Sequence, residues 1–338
     1  MNFRGRRFVV LAALAVVIVG GLAALSVTWY LLSVPYKGYS SEEVFVYVPR
    51  GTSVPRIGRM LHDSGVVSHP RLFGWYVRLL QPTSSLKAGE YRFDRPLSIR
   101  EVTSKLTKGD VYVIKVTVPE GYSRMEIIDL LTRNGIGTKE GLLKATADTS
   151  AISELDSAAT DLEGYLFPET YYFSRHIPET EVVRVMLNNF LRVWTPERQK
   201  KAKELDMTVR EVLTLASLIE KETALPDERP LVSAVFHNRL RKNIPLASDP
   251  TIIYGVKLIK EYDGVINQSD LRLDSPYNTY LYNGLPPGPI ANPGLAAIDA
   301  ALAPAEVDYL FFVSRNDGSH LFTVDYNDHL RGVRQYQR

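Results

Sequence analysis

Between Arg7 and Lys37 the chain carries no charged side chain, and the run FVVLAALAVVIVGGLAALSVTWYLLSVP is apolar all round rather than along one stripe. This pattern predicts a membrane-crossing helix over 8–34. About 27 residues at ~1.5 Å each span roughly 40 Å, enough for a ~30 Å hydrocarbon core with some tilt. Trp29 and Tyr30 fall where an interfacial aromatic belt forms. The run is nearly twice the roughly 7 to 15 apolar residues of a secretion signal, which argues for an uncleaved anchor. Arg4, Arg6 and Arg7 precede it and only Lys37 closely follows. The positive-inside bias then leaves residues 1–7 in the cytoplasm and everything after the anchor outside.

After the anchor the polar and apolar positions repeat. Val48, Pro49, Gly51, Ser53, Ile57, Leu61 and Gly65 recur 70 residues later as Val118, Pro119, Gly121, Ser123, Ile127, Leu131 and Gly135. Each copy reads as strand, tight turn and helix: the serine is an N-cap, the Ile/Leu pair a buried stripe, and the last glycine a left-handed C′ residue. Ser123 and Glu126 have capping-box spacing. Further on the shift becomes 80, pairing Tyr91, Phe93, Arg95, Glu101 and Val102 with Tyr171, Phe173, Arg175, Glu181 and Val182, so the second copy carries about ten extra residues. Two tandem α/β modules follow, 44–109 and 114–190. Their closing strands lie at Glu90 to Phe93 and Thr170 to Phe173, each with a helix after it. The strand-helix-helix-strand order of the first, with its second helix near Pro70 to Leu80, resembles the LysM-like fold of glycan-binding modules. Most repeated positions are turn, cap and core types, which a packing scaffold explains equally well. Within the extra segment, Glu163 lies between Leu162 and an aromatic strand and calls for a polar partner or an exposed loop.

A third pattern starts at Thr208, which forms a capping box with Glu211, and runs through VLTLASLIEKETA to Pro226. At 100° per residue, Val209, Val212, Leu213, Leu215, Ala216 and Ile219 share an apolar arc, while Arg210, Thr214, Ser217 and Lys221 face solvent. Glu220 falls inside the apolar arc. A carboxyl group there is either a general acid whose pKa rises with lost hydration or the partner of a buried arginine. Glu222 lies about 200° round the helix from Glu220, so the two cannot form a dyad from this helix alone.

The last part of the chain reads as cleft material. An amphipathic helix capped by Asp227 presents Val232, Val235, Phe236 and Leu240, and a loop from Ser248 to Thr251 opens Ile252 to Gly255. Tyr277-Asn278-Thr279-Tyr280 precedes Gly284 to Gly294, a Pro/Gly-rich segment predicting a rigid, irregular wall whose tyrosine and asparagine neighbours suit sugar rings. Taken alone, Asp249 also fits a turn or cap.

Composition removes alternatives. With no cysteine there is neither a disulfide scaffold nor a thiolate nucleophile, and the six histidines show no close ligand pair, so no metal is expected. Forty Lys and Arg against 38 Asp and Glu leave a net charge of +2, no footprint for nucleic acid. P-loop, dinucleotide-binding and nucleophile-elbow motifs are missing, and no cofactor is expected.

Ala216 to Thr223, Ser248 to Gly255, Tyr277 to Tyr280 and Gly284 to Ile290, in this order and spacing, resemble the endolytic murein transglycosylase family, also called YceG-like. The anchor, the LysM-like region and Leu162 to Tyr171 are similar too. The resemblance implies an α+β chain: a transmembrane helix, LysM-like modules and a mixed helix/strand catalytic domain over 195–338. It implies a single-pass inner-membrane lyase facing the periplasm that cuts nascent peptidoglycan strands internally, beside peptidoglycan synthases. Its catalytic carboxyl is carried over to Glu220, the first glutamate of Glu-Lys-Glu-Thr. That group would protonate the oxygen between MurNAc and GlcNAc, then take the proton of the MurNAc 6-hydroxyl as it closes a 1,6-anhydro ring. Asp249, Thr251, Tyr254, Asn278, Tyr280 and Glu163 are the expected substrate contacts. Three readings compete: a hydrolase using Glu163 or Asp249 as second carboxylate, a non-enzymatic glycan-binding scaffold, and a pyridoxal-phosphate lyase. Lys221 on the solvent face of an extracytoplasmic domain counts against the last.

Overall fold

A computed structural model describes residues 3–80 and 86–337, without the side chains of 3–7 and 80. Residues 1 and 2 of the expected cytoplasmic tail, and the side chains of Arg4, Arg6 and Arg7, lie outside that description. The described chain forms two compact units, 1–114 and 115–338.

The first unit opens with helix α1 (Phe3–Ser33), whose apolar stretch Phe8–Ser33 is long enough to cross a membrane and is exposed along most of its length, meeting the rest of the unit only near its C-terminal end. There follow β1 (Val44–Val48), α2 (Val54–Asp63), α3 (Pro70–Leu80), β2 (Gly89–Phe93) and α4 (Ile99–Lys108). The strand-helix-helix-strand order is as the sequence predicts. β1 and β2 are antiparallel, with Val46 opposite Tyr91 and Val44 opposite Phe93. Their inward residues Val46, Val48, Tyr91 and Phe93 meet Ile57 and Leu61 of α2, Phe73 and Val77 of α3, and Val102 and Leu106 of α4. Leu32, from the end of α1, is 4% exposed and belongs to this same core. Gly65 sits at φ 72°, the left-handed C′ conformation that its place in the repeat predicts. Ser53 caps α2 by backbone position alone, without a side-chain hydrogen bond.

The second unit begins with the other copy of the repeat: β3 (Ile114–Thr117), α5 (Arg124–Arg133), α6 (Lys139–Ala147), β4 (Thr170–Phe173) and α7 (Glu179–Val193). β3 pairs with β4, the Ser123–Glu126 capping box forms, and Gly135 stands at φ 74°. The chain continues through α8 (Pro196–Glu204), α9 (Val209–Glu222), α10 (Arg229–Arg241), α11 (Asp249–Lys257), α12 (Gln268–Leu271) and α13 (Leu295–Leu302). It ends with the β5 (Phe311–Ser314) and β6 (His320–Thr323) hairpin and α14 (Tyr326–Tyr336).

Three sequence-level expectations about this unit are corrected. Thr208 and Glu211 form the predicted capping box on α9, but Thr214 and Ser217, expected to face solvent, are 1% and 0% exposed. α9 is the central helix, packed by α8, α10, α11 and α13, so it has almost no outer face. Thr214 Oγ1 donates to the Arg210 carbonyl, while Ser217 Oγ donates to the Thr214 carbonyl and accepts the Ile290 amide. Helix α10 starts after Glu228 rather than at an Asp227 cap: Glu228 is the N-cap residue, Pro230 stands in the first turn where a missing N–H is tolerated, and the Glu228 carboxylate turns away to His320 and Thr223. The expected loop at Ser248 to Thr251 is the first turn of α11, with Ser248 as N-cap and Pro250 where a missing N–H costs nothing.

Candidate active site

The two glutamates near the end of α9 point into different surroundings. Glu220 Oε2 accepts the Gly294 amide at 2.8 Å, and Oε1 faces Arg229 Nη2 at 3.4 Å. Its side chain is 6% exposed. Gly121, at φ 76°, lies beside it, with an added Cβ falling in ordinary contact 3.5 Å from Glu220 Cγ. The carboxyl of Glu120 lies against the Gly294 backbone and leaves no room for a side chain there. Burial and the Glu220 charge both raise the Glu120 pKa, partly offset by Arg229. Of the two environments offered by the helical pattern, Glu220 therefore occupies the arginine-paired one.

Glu222 takes the other direction. It is half-buried, and Ser248 Oγ donates to its Oε1 at 2.5 Å. Burial and the neighbouring Asp249 charge push its pKa up to about 7, against the Ser248 hydrogen bond and the Arg239 charge. Glu222 lines a cavity of about 520 Å³ together with Asp249, Tyr280, His320, Phe312 and Tyr326. That is ample for a small ligand. Tyr280 OH donates to Asp249 Oδ1 at 2.7 Å. The β5–β6 hairpin closes one side of this cavity and is pinned by Glu228, which accepts the His320 amide at 2.8 Å and meets the His320 ring at 2.7 Å. Glu220 is not among the lining residues.

Of the six expected substrate contacts, the structure brings Asp249 and Tyr280 into this cavity. Thr251, 0% exposed, bonds to the Ser248 carbonyl and Thr279 Oγ1, and Asn278, 1% exposed, donates to the Leu271 and Leu273 carbonyls. Both hold their segments from behind. Tyr254 and Glu163 meet elsewhere. Tyr254 OH donates to Glu163 Oε2 at 3.1 Å, while Glu163 Oε1 accepts the Arg124 amide and Asn292 Nδ2. Burial pushes the Glu163 pKa up to about 8 despite those donors. Of the two settings the sequence left open for Glu163, the buried one with partners is the one observed.

The Pro/Gly-rich segment does not line the Glu222 cavity, but its end reaches Glu220 through the Gly294 amide. Ile290, Ala291 and Asn292 are buried, and residues 284–287 line a separate cavity beside Arg210. Glu222, read in the sequence only as a possible partner of Glu220, and His320, read only for metal spacing, both line this cavity. Among the described residues no cluster of three or more His, Asp or Glu is arranged to hold a metal ion.

Comparison with known proteins decides the lineage. The YceG-like family model matches residues 46–335. The chain belongs to the YceG-like family. This YceG-like chain is 32% identical over 323 residues to the endolytic murein transglycosylase of Bacillus subtilis strain 168, covering 89% of itself and 87% of that protein. It is likewise 32% identical to the endolytic murein transglycosylase of Streptococcus pneumoniae D39, but spans only 60% of that longer protein. A 2.6 Å crystal structure of a yceG-like protein from Listeria monocytogenes matches 86% of the chain and 99% of its own, with a TM-score of 0.59 and 30% identity.

Proposed function

We propose that this chain is an endolytic murein transglycosylase whose proton-carrying carboxyl is Glu222. The observation that carries the assignment is the setting of Glu222: the wall of an open cavity, beside Asp249, with a pKa near neutrality. Family membership supplies the reaction class. The substrate is a peptidoglycan glycan strand. Protonated Glu222 gives its proton to the oxygen between MurNAc and GlcNAc as the C1–O bond breaks, and the resulting carboxylate takes the proton from the MurNAc 6-hydroxyl as O6 bonds to C1. The proton count returns to its start and no water is consumed, so one carboxyl serves both steps. The MurNAc acetamido group supports the positive charge developing at C1, as in substrate-assisted glycosidases. Asp249, oriented by Tyr280, keeps Glu222 protonated and sits within the same cavity. Glu220 then secures the α9 end against Gly294 and Arg229, while Thr251, Asn278, Tyr254 and Glu163 shape the surroundings without touching substrate.

The second reading keeps Glu220 as the acid, as the family resemblance carried it over. Its burial in the α9 apolar arc favours it, and its pairing with Arg229 does not. Muropeptide analysis by mass spectrometry separates the two. Glu222→Gln is expected to cut anhydro-ended product by about 10²- to 10⁴-fold, with Glu220→Gln retaining activity in its folded fraction. The reverse pattern transfers the role to Glu220. Reducing ends one water heavier would make the enzyme a hydrolase.

Around this site the proposal extends to the whole chain. The α1 helix is a single-pass anchor in the inner membrane with residues 1–7 cytoplasmic and 195–338 periplasmic. Residues 44–109 form a LysM-like module, 114–190 its expanded copy, and peptidoglycan synthases are neighbours whose strands the enzyme trims. The strand-helix-helix-strand order supports the module reading.

A further inference from the structure

The first unit carries a basic and aromatic groove that the glycan chemistry does not use. Pro55 and Arg59 of α2 face Pro70, Arg71, Gly74, Trp75 and Arg78 of α3 across about 490 Å³. The two helices approach closely at Gly58, where an added Cβ would meet the Pro70 carbonyl at 2.9 Å. α3 divides sharply: Phe73 and Val77 lie in the core, whereas Trp75 is 64% and Leu79 53% exposed. Among the described residues, Arg59, Arg71 and Arg78 have no hydrogen-bond or ion-pair partner. Three arginines free of protein partners therefore flank an exposed tryptophan and leucine, an apolar surface rimmed by charge of the kind that marks a binding face.

The chemistry of the groove selects its occupant. Sugar hydroxyls are read by carboxylates and amides, and none lines this surface. Arginine with tryptophan and leucine matches instead an anion joined to an apolar tail. Position agrees. The core of this unit includes Leu32 of α1, and Tyr36 pairs with Leu97 immediately before α4. Arg100 of α4 lies over the Trp29 ring of α1 at 4.3 Å from its centroid, at the level where an aromatic belt meets the headgroups. α3 packs on α4, and α4 on α1, so the helical layer of the unit is the one that meets the anchor.

We propose that the α2–α3 groove binds anionic phospholipid headgroups, laying the Trp75–Leu79 face of α3 into the bilayer interface. The inference rests on α1 spanning the membrane. The absence of cysteine makes it directly testable in the full chain. Leu79→Cys and, as a reference for the anchor, Val17→Cys are each labelled with an environment-sensitive dye. Each is reconstituted into phosphatidylcholine vesicles with or without phosphatidylglycerol, and quenching by nitroxide-bearing lipid is measured. The label at 79 is expected to be quenched strongly only when phosphatidylglycerol is present. Neutralising Arg59, Arg71 or Arg78 with Gln lowers the inserted-to-free ratio about fivefold each, and Lys at the same positions restores it. Quenching at 17 but not at 79 overturns this inference alone; none at either position overturns the anchor on which it rests. Quenching at 79 that ignores both lipid charge and the Gln substitutions removes the role of the arginines. Release of the label from lipid by soluble peptidoglycan fragments, with 17 unchanged, makes the groove a glycan site and overturns the proposal.

Discussion

Two residues apart on one helix, Glu220 and Glu222 illustrate how surroundings decide what a carboxyl group can do. The first meets a backbone amide and a guanidinium; the second has a hydroxyl donor, a nearby negative charge and open space. A pKa near 7 leaves Glu222 largely protonated below neutrality, so a rate that depends on its acid form is expected to fall about tenfold per pH unit above that point. Asp249→Asn removes the charge that helps keep the proton on Glu222. The alkaline limb of the kcat profile is therefore expected to move to lower pH, and an unmoved limb would exclude Glu222 as the titrating acid. Part of this was legible in the chain: the helical pattern singles out the last turn of α9, where both glutamates stand. Their different surroundings come from residues 120–121, 229, 248–249, 292–294 and 311–329, contacts between separate segments that leave no trace in local periodicity.

Among elements, the local devices were the readable ones. Among the described residues, capping boxes form on α4, α5, α9 and α12, two of the four at positions the spacing predicted, because all the atoms involved lie within four consecutive residues. Braces between distant elements were not readable. Asn292, 0% exposed, accepts the Leu166 amide and donates to Glu163 and the Tyr122 carbonyl, so one side chain ties three segments. Asn292→Ala would strand several buried groups and is expected to cost about 3 kcal/mol or more, seen as a lowered denaturant midpoint. Glu163 adds a pH dependence. Its folded pKa of about 8 lies above the ordinary carboxyl value of 4.5, so the native state holds the proton more tightly. Stability is then fullest below about 4.5 and declines as pH rises towards 8. Glu163→Gln, which resembles the protonated form, is expected to flatten the melting temperature between pH 5 and about 8. A parent protein already flat over that range would place the proton elsewhere.

Across the molecule, the duplicated scaffold has diverged by context. Both copies keep the strand, turn, capped helix and left-handed glycine, but the second holds the extra segment that carries Glu163 and its buried partners in the larger unit. The first copy is instead fused to the anchor. Leu32→Ala opens a void where α1 enters the core and is expected to destabilise that unit by about 2 to 5 kcal/mol, measurable as faster hydrogen exchange in β1 and β2. Because Leu32 is core and helix at once, the first unit has no tether on which to drift. With α1 in a membrane, as proposed, it travels with its anchor as a single body, so its encounters become a two-dimensional search set by lateral diffusion within the lipid sheet rather than by linker length.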